Sequence, residues 1–264
     1  MMWPDGMKSA CCLTFDLDAE TAWLEVAPDI ENPIVLSLGN YGPRRAIPKI
    51  LELLEKHEVK GTFFIPGKIA EDYPGSVEAI IESGHEIAAH SYKHTAPEEL
   101  SEAEEVEDIT RTLAILKGFG VDIQGYRIPS WGASPRTFDL LEEHGFKYSS
   151  NMMNDVMPYR HPEKKLIELP VQWMLDDWIH FGFAPGDWEK SIATPSAVLE
   201  IWSKEFAGIH EWGGVFVPTM HPQIIGRPSR INMLDEFISF VKSHEGVWIA
   251  PCSQVAEHLD SVLT

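Results

Sequence analysis

Apolar residues recur at helical spacing in five stretches of the chain: RRAIPKILELLEKHEV (44–59), PGSVEAIIESG (74–84), SPRTFDLLEEHG (134–145), PSAVLEIWSKEFAGI (195–209) and RINMLDEFISFVKSHEG (230–246). Several of these end in Gly, the residue that closes helices in the left-handed conformation. Between them lie short apolar or β-branched runs: ACCLTFDLD (10–18), KGTFFIPG (60–67), HEIAAH (85–90), IQGYRIPSW (123–131), LIELPV (166–171), GVFVPTMHP (214–222) and GVWIAP (246–251). Strand alternating with helix predicts a parallel sheet. About seven strands in one chain of this size predict an α/β fold, a distorted (β/α) barrel, with 1–264 as a single domain. An open doubly wound sheet is the alternative, but no glycine-rich phosphate loop follows the first strand.

Composition narrows the partners. The formal charge of −20 argues against nucleic acid, whose binding needs clustered Lys and Arg. Much of the acidity lies in APEELSEAEEVEDITRTLAIL (96–116), which reads as a solvated helix face opened by a capping box of Ser101 and Glu104. No window of 18 uncharged apolar residues predicts a membrane span, and no apolar leader precedes the first strand, so a cytoplasmic address is expected. Three cysteines, two of them adjacent, do not make a disulfide framework.

In a parallel α/β fold the chemistry belongs where strands end. There the first run ends in Asp16 and Asp18, which alternate onto one face of a strand, and two like charges so placed call for a cation. His90 and His94, four residues apart after the run HEIAA, put two imidazoles on one side of a helical turn. Two His and one carboxylate leave open positions for water and substrate, as a catalytic metal site requires. His85, at the start of its run, is expected to be structural. Arg127 can pair with the carboxylate that does not bind metal and fix its rotamer. His221, after another strand, can face the metal and protonate a leaving nitrogen. The stretch VQWMLDDWIHFGFAPGDW (171–188) is either a substrate wall or core packing, and one of Asp176 and Asp177 within it is expected to orient a catalytic His or Arg.

In order, TFDLD, HSYKH, RIPSW, LDDW and MHP resemble the motifs of the polysaccharide deacetylase family, also called carbohydrate esterase family four, from Thr14 to about Pro222. The family pattern implies Asp16 as general base, and Asp18, His90 and His94 as ligands of a divalent metal, most simply Zn²⁺. It implies Arg127 as the tether of Asp16, and His221 as general acid supported by Asp176 or Asp177. Pro129, Trp131 and Trp178 are the expected substrate-binding residues, with a backbone N–H near Trp131 as an oxyanion donor. The family's first motif has adjacent aspartates, whereas Leu17 intervenes here. That insertion resembles the branch holding cytoplasmic peptidoglycan-deacetylase-like proteins, cyclic imide hydrolases and allantoinase-like enzymes. The branch implies a homo-oligomer, with a tetramer as one form. The expected reaction is hydrolysis of a non-peptide carbon–nitrogen bond: loss of an N-acetyl group from an amino sugar, or opening of a small cyclic imide or ureide. A non-catalytic sugar-binding barrel is the alternative of another class.

Overall fold

The computed structural model of the protein describes residues 2–26, 31–183 and 188–263. Eleven strands form among them: β1 (Ser9–Cys11), β2 (Thr14–Asp16), β3 (Thr62–Ile65), β4 (Glu86–Ala89), β5 (Gly125–Tyr126), β6 (Tyr148–Ser149), β7 (Tyr159–Arg160), β8 (Ile167–Glu168), β9 (Val215–Phe216), β10 (Thr219–Met220) and β11 (Val247–Ile249). The main sheet runs β10-β2-β3-β4-β5-β6-β8-β7, and a smaller one runs β11-β1-β9. Each break falls within a continuous run, 9–16 or 215–220, so the two sheets are joined where those runs bend. Every pairing is parallel except β7 with β8. All seven runs expected from the sequence therefore carry strands. The structure adds β6 and the antiparallel β7, two-residue strands too short to show a period.

Alternation along the first run decides which side chains face inward. Cys11, Leu13, Phe15 and Leu17 pack beneath the surrounding helices, in the larger apolar cluster. Ala10 and Cys12 turn to the inner cluster, with Val215, Val217, Ala250 and Val255. Continuing that parity sends Thr14, Asp16 and Asp18 inward as well. The helix Cys252–Val262 contributes Val255, Ala256 and Leu259 to the same inner cluster.

The outer helices follow their apolar periodicity. Ile47, Ile50, Leu53 and Leu54 are the buried face of Ile47–Lys56, and Val198, Trp202, Phe206 and Ile209 that of Pro195–Trp212. Ser101 and Glu104 form the expected capping box at the start of Glu102–Lys117. The helix Pro33–Tyr41 bears on the turn that follows the first aspartates. A Cβ on Gly39 would come within 2.6 Å of the Ala19 backbone, so only glycine permits that approach. His85 is structural, as expected: its Nδ1 accepts the Gly61 N–H at 3.1 Å, and burial, reinforced by Lys60, lowers its pKa to about 4. The three cysteines are buried and free. Among the described residues, no helix is long and apolar enough to cross a membrane.

Candidate metal centre and active site

The strand ends converge on one pocket. Asp18, at the end of the first run, sits among three imidazoles: His90 Nε2 lies 3.4 Å from its Oδ1, and His94 Nε2 and His221 Nε2 lie 3.7 and 3.4 Å from its Oδ2. One donor atom each from Asp18, His90 and His94 falls within 4.8 Å of the others, and all three residues are buried. Burial pushes the Asp18 carboxyl up, but His94, His90 and His221 outweigh it and bring its pKa down to about 2.

These residues fit a divalent metal. Asp18 Oδ1 is buried and accepts no hydrogen bond within the protein, the state of an oxygen reserved for another partner. His90 Nδ1 donates to the Arg127 carbonyl at 2.8 Å, which leaves the Nε2 lone pair facing the carboxylate. Two nitrogens and an oxygen suit zinc and leave coordination positions open. The route to this geometry differs from the sequence expectation, however. His90 and His94 do not share a helical turn: residues 90–94 form an irregular bend in which Ser91 and His94 adopt φ of +62°. The two rings meet edge to face, 4.9 Å apart.

Asp16 is held from the side opposite the histidines. Arg127 Nη1 donates to its Oδ1 at 2.7 Å and to Thr14 Oγ1 at 2.9 Å, while Nη2 donates to Ser150 Oγ at 2.8 Å. The guanidinium, 1% exposed, also lies 4.2 Å from the centre of the Phe64 ring. A planar fork with this many fixed contacts cannot be replaced by a point charge. Arg127→Lys is therefore expected to lower kcat by about 10- to 100-fold and to reduce thermal stability. Steady-state kinetics and a melting curve on the purified variant would show both.

His221 is oriented by Asp177 rather than Asp176. Its Nδ1 lies 2.6 Å from Asp177 Oδ1, and its backbone N–H donates to Asp177 Oδ2 at 3.0 Å. Asp176 stands 3.7 Å from the same nitrogen and accepts the Trp178 N–H at 2.7 Å, capping the short helix Asp177–Phe181. Burial opposes a charged imidazole, but the carboxylates of Asp177 and Asp176 outweigh it and raise the His221 pKa well above its ordinary value. Burial, helped by Asp177, pushes Asp176 up to about 7.

The pocket has a volume of about 160 Å³. Trp131, Trp173, Trp178 and Ile179 line it together with the aspartates and histidines, and the Trp178 ring lies 5.5 Å from that of His221. Trp131 and Trp178, two of the expected substrate-binding residues, are both among its lining residues. Trp173, half exposed, meets Trp131 edge to face at 4.5 Å, and only its membership of the aromatic stretch hinted at such a role. Residues 184–187 of that stretch lie outside the described residues. Pro129 corrects an expectation: it is buried and is not part of the wall, because it opens the 3₁₀ turn that presents Ser130 and Trp131. The backbone N–H groups at and just after Trp131, where an oxyanion donor was expected, are engaged within the turn. The N–H groups of Trp131, Gly132 and Ala133 donate to Ile128, Pro129 and Trp131 carbonyls within that turn. Five of the seven non-glycine residues with positive φ among the described residues, Ala19, Ser91, His94, Ser130 and Trp131, are in or beside this site. Such strain persists only where surrounding contacts over-determine it, as they do here.

The profile of the polysaccharide deacetylase family matches residues 30–149. A Helicobacter pylori peptidoglycan deacetylase is 28% identical over 274 residues, covering 92% of this chain and 93% of its own. The solved structure of a Mycobacterium smegmatis protein assigned as a polysaccharide deacetylase is 39% identical, with a TM-score of 0.94 over 99% of this chain and 94% of that one. An allantoinase structure, 23% identical over 98% of this chain and 92% of its own, shares the fold with a TM-score of 0.85.

Proposed function

The chain belongs to the polysaccharide deacetylase family, and from that premise we propose that it is a metal-dependent amide hydrolase that opens a small cyclic amide in its tryptophan-walled pocket. The observation that supports this substrate is the size of the pocket. A volume of about 160 Å³ matches one small ring, since a cavity of about 150 Å³ takes a benzene-sized ligand. Drug-sized pockets run from about 300 Å³ upward.

Asp18, His90 and His94 would hold the metal. When bound there, a divalent ion supplies Lewis acidity to a carbonyl oxygen and acidifies water. Asp16, fixed by Arg127, keeps its Oδ2 toward the centre and takes the proton of the attacking water. His221, with Nδ1 bound to Asp177, turns Nε2 inward and delivers a proton to the departing nitrogen. The aromatic side chains of the wall offer apolar ring surface against which a planar ring can pack.

A second reading is removal of an N-acetyl group from an amino sugar, with only the acetamide entering the pocket. It is favoured by the Helicobacter pylori peptidoglycan deacetylase, matched along nearly the whole chain. The two separate in one experiment: zinc-supplied protein is given succinimide, followed by loss of ultraviolet absorbance, and N-acetylglucosamine oligomers, followed by acetate release. Ring opening with no acetate is the expected result. Acetate release with no ring opening would replace the first reading by the second.

A further inference from the structure

The catalytic roles leave one buried hydroxyl in the pocket unexplained. Thr219, on β10, is 2% exposed and lines the pocket, yet its Oγ1 has no hydrogen-bond partner within the protein. Its parity is that of the inward-facing Val215 and Val217, and of His221, two residues further on. Thr14, its partner across the parallel pair, shows what a satisfied hydroxyl looks like here: it donates to the Pro218 carbonyl at 2.5 Å and accepts from Arg127 at 2.9 Å. Thr219 also bridges to the Asp176 backbone, which places it between the His221 acid and the aromatic stretch. A second polar atom of the wall is in the same condition. Trp131 Nε1, which can only donate, is buried without a partner.

An orphaned hydroxyl in a pocket asks for a partner on the ligand, because a buried polar group left unpaired is costly. The carbonyl to be attacked belongs at the Asp18, His90 and His94 end. The geometry points to Thr219 as the specificity-determining residue, donating to a second carbonyl of the ring, the one that is not attacked. The inference rests on the small-ring reading above and narrows it to rings with two carbonyls, of imide or ureide type. A ring with one carbonyl, held by it at the Asp18, His90 and His94 end, would leave the Thr219 hydroxyl unpaired.

The test compares succinimide, with two carbonyls, and 2-pyrrolidinone, its one-carbonyl counterpart. Each is titrated calorimetrically into the full chain in zinc-free buffer, where the ring is not consumed. The wild-type protein should bind succinimide about tenfold more tightly, the worth of one net hydrogen bond. Thr219→Val, which keeps the shape and loses the hydroxyl, should abolish that preference, and Thr219→Ser should retain it. Comparable melting temperatures for the three proteins would exclude a folding defect. A preference that survives Thr219→Val, its absence from the wild type, or no binding of either ring would overturn the assignment. Hydrolysis is measured separately after zinc is restored. Ring opening with an unaltered preference in Thr219→Val sinks the Thr219 role alone, whereas a lost preference without hydrolysis of any amide sinks the catalytic reading alone.

Discussion

Asp16→Asn is expected to lower kcat by about 100- to 10,000-fold while leaving metal content unchanged. The substitution preserves shape and removes the proton acceptor. Asp18, His90 and His94, the atoms that fit the metal, are untouched by it. A second consequence follows from the burial of Arg127. With Asp16 neutral, a guanidinium that is 1% exposed loses its only carboxylate contact among the described residues. Uncompensated buried charges cost about 3–5 kcal/mol, so the variant should also melt earlier, and kinetics belong at a temperature where it is folded. Metal analysis, a melting curve and steady-state rates on one preparation separate the effects. Unchanged turnover would remove Asp16 from the mechanism.

Asp177→Asn should lower kcat by about two to four orders of magnitude, with little change in KM. Asp177 takes both Nδ1 and the backbone N–H of His221, so it sets the ring's orientation as well as the charge beside it. An amide in its place no longer supports an imidazolium and can turn its NH₂ toward Nδ1. The control is Asp176→Asn, whose carboxylate caps a helix and stands 3.7 Å from the imidazole; it should cost less in kcat than the Asp177 change. Equal losses in the two variants would mean that the carboxylates act as one unit rather than in the division of labour described here.

The strand parity of Asp16 and Asp18 was readable because period-two alternation survives in any strand with one apolar face. Leu13, Phe15 and Leu17 turn outward beneath the helices, and the aspartates follow Thr14 inward. The His90 and His94 pair was readable for a reason that the fold does not use. Helical spacing pointed to them, but a bend with two positive-φ residues brings their rings together. Sequence spacing carries no information on such a bend: Ser91 does not announce left-handed backbone, and the enrichment of His in that region does not single out one of eleven histidines. Asp176 and Asp177 could not be separated beforehand, since adjacent acids differ only in which one tertiary packing turns toward His221. Ser150 and Thr14, which grip Arg127, left no trace in the pattern. A hydroxyl in a short strand is common, and only the buried guanidinium makes it matter. Thr219 was equally silent.

The most direct measurement on the metal-dependent chemistry is a zinc titration of chelator-stripped protein, with ring opening of succinimide and bound metal followed together. No turnover is expected in the stripped protein, with recovery that saturates at one ion per chain, and neither binding nor recovery in Asp18→Ala. Full turnover by protein shown to hold no metal would contradict metal-dependent chemistry.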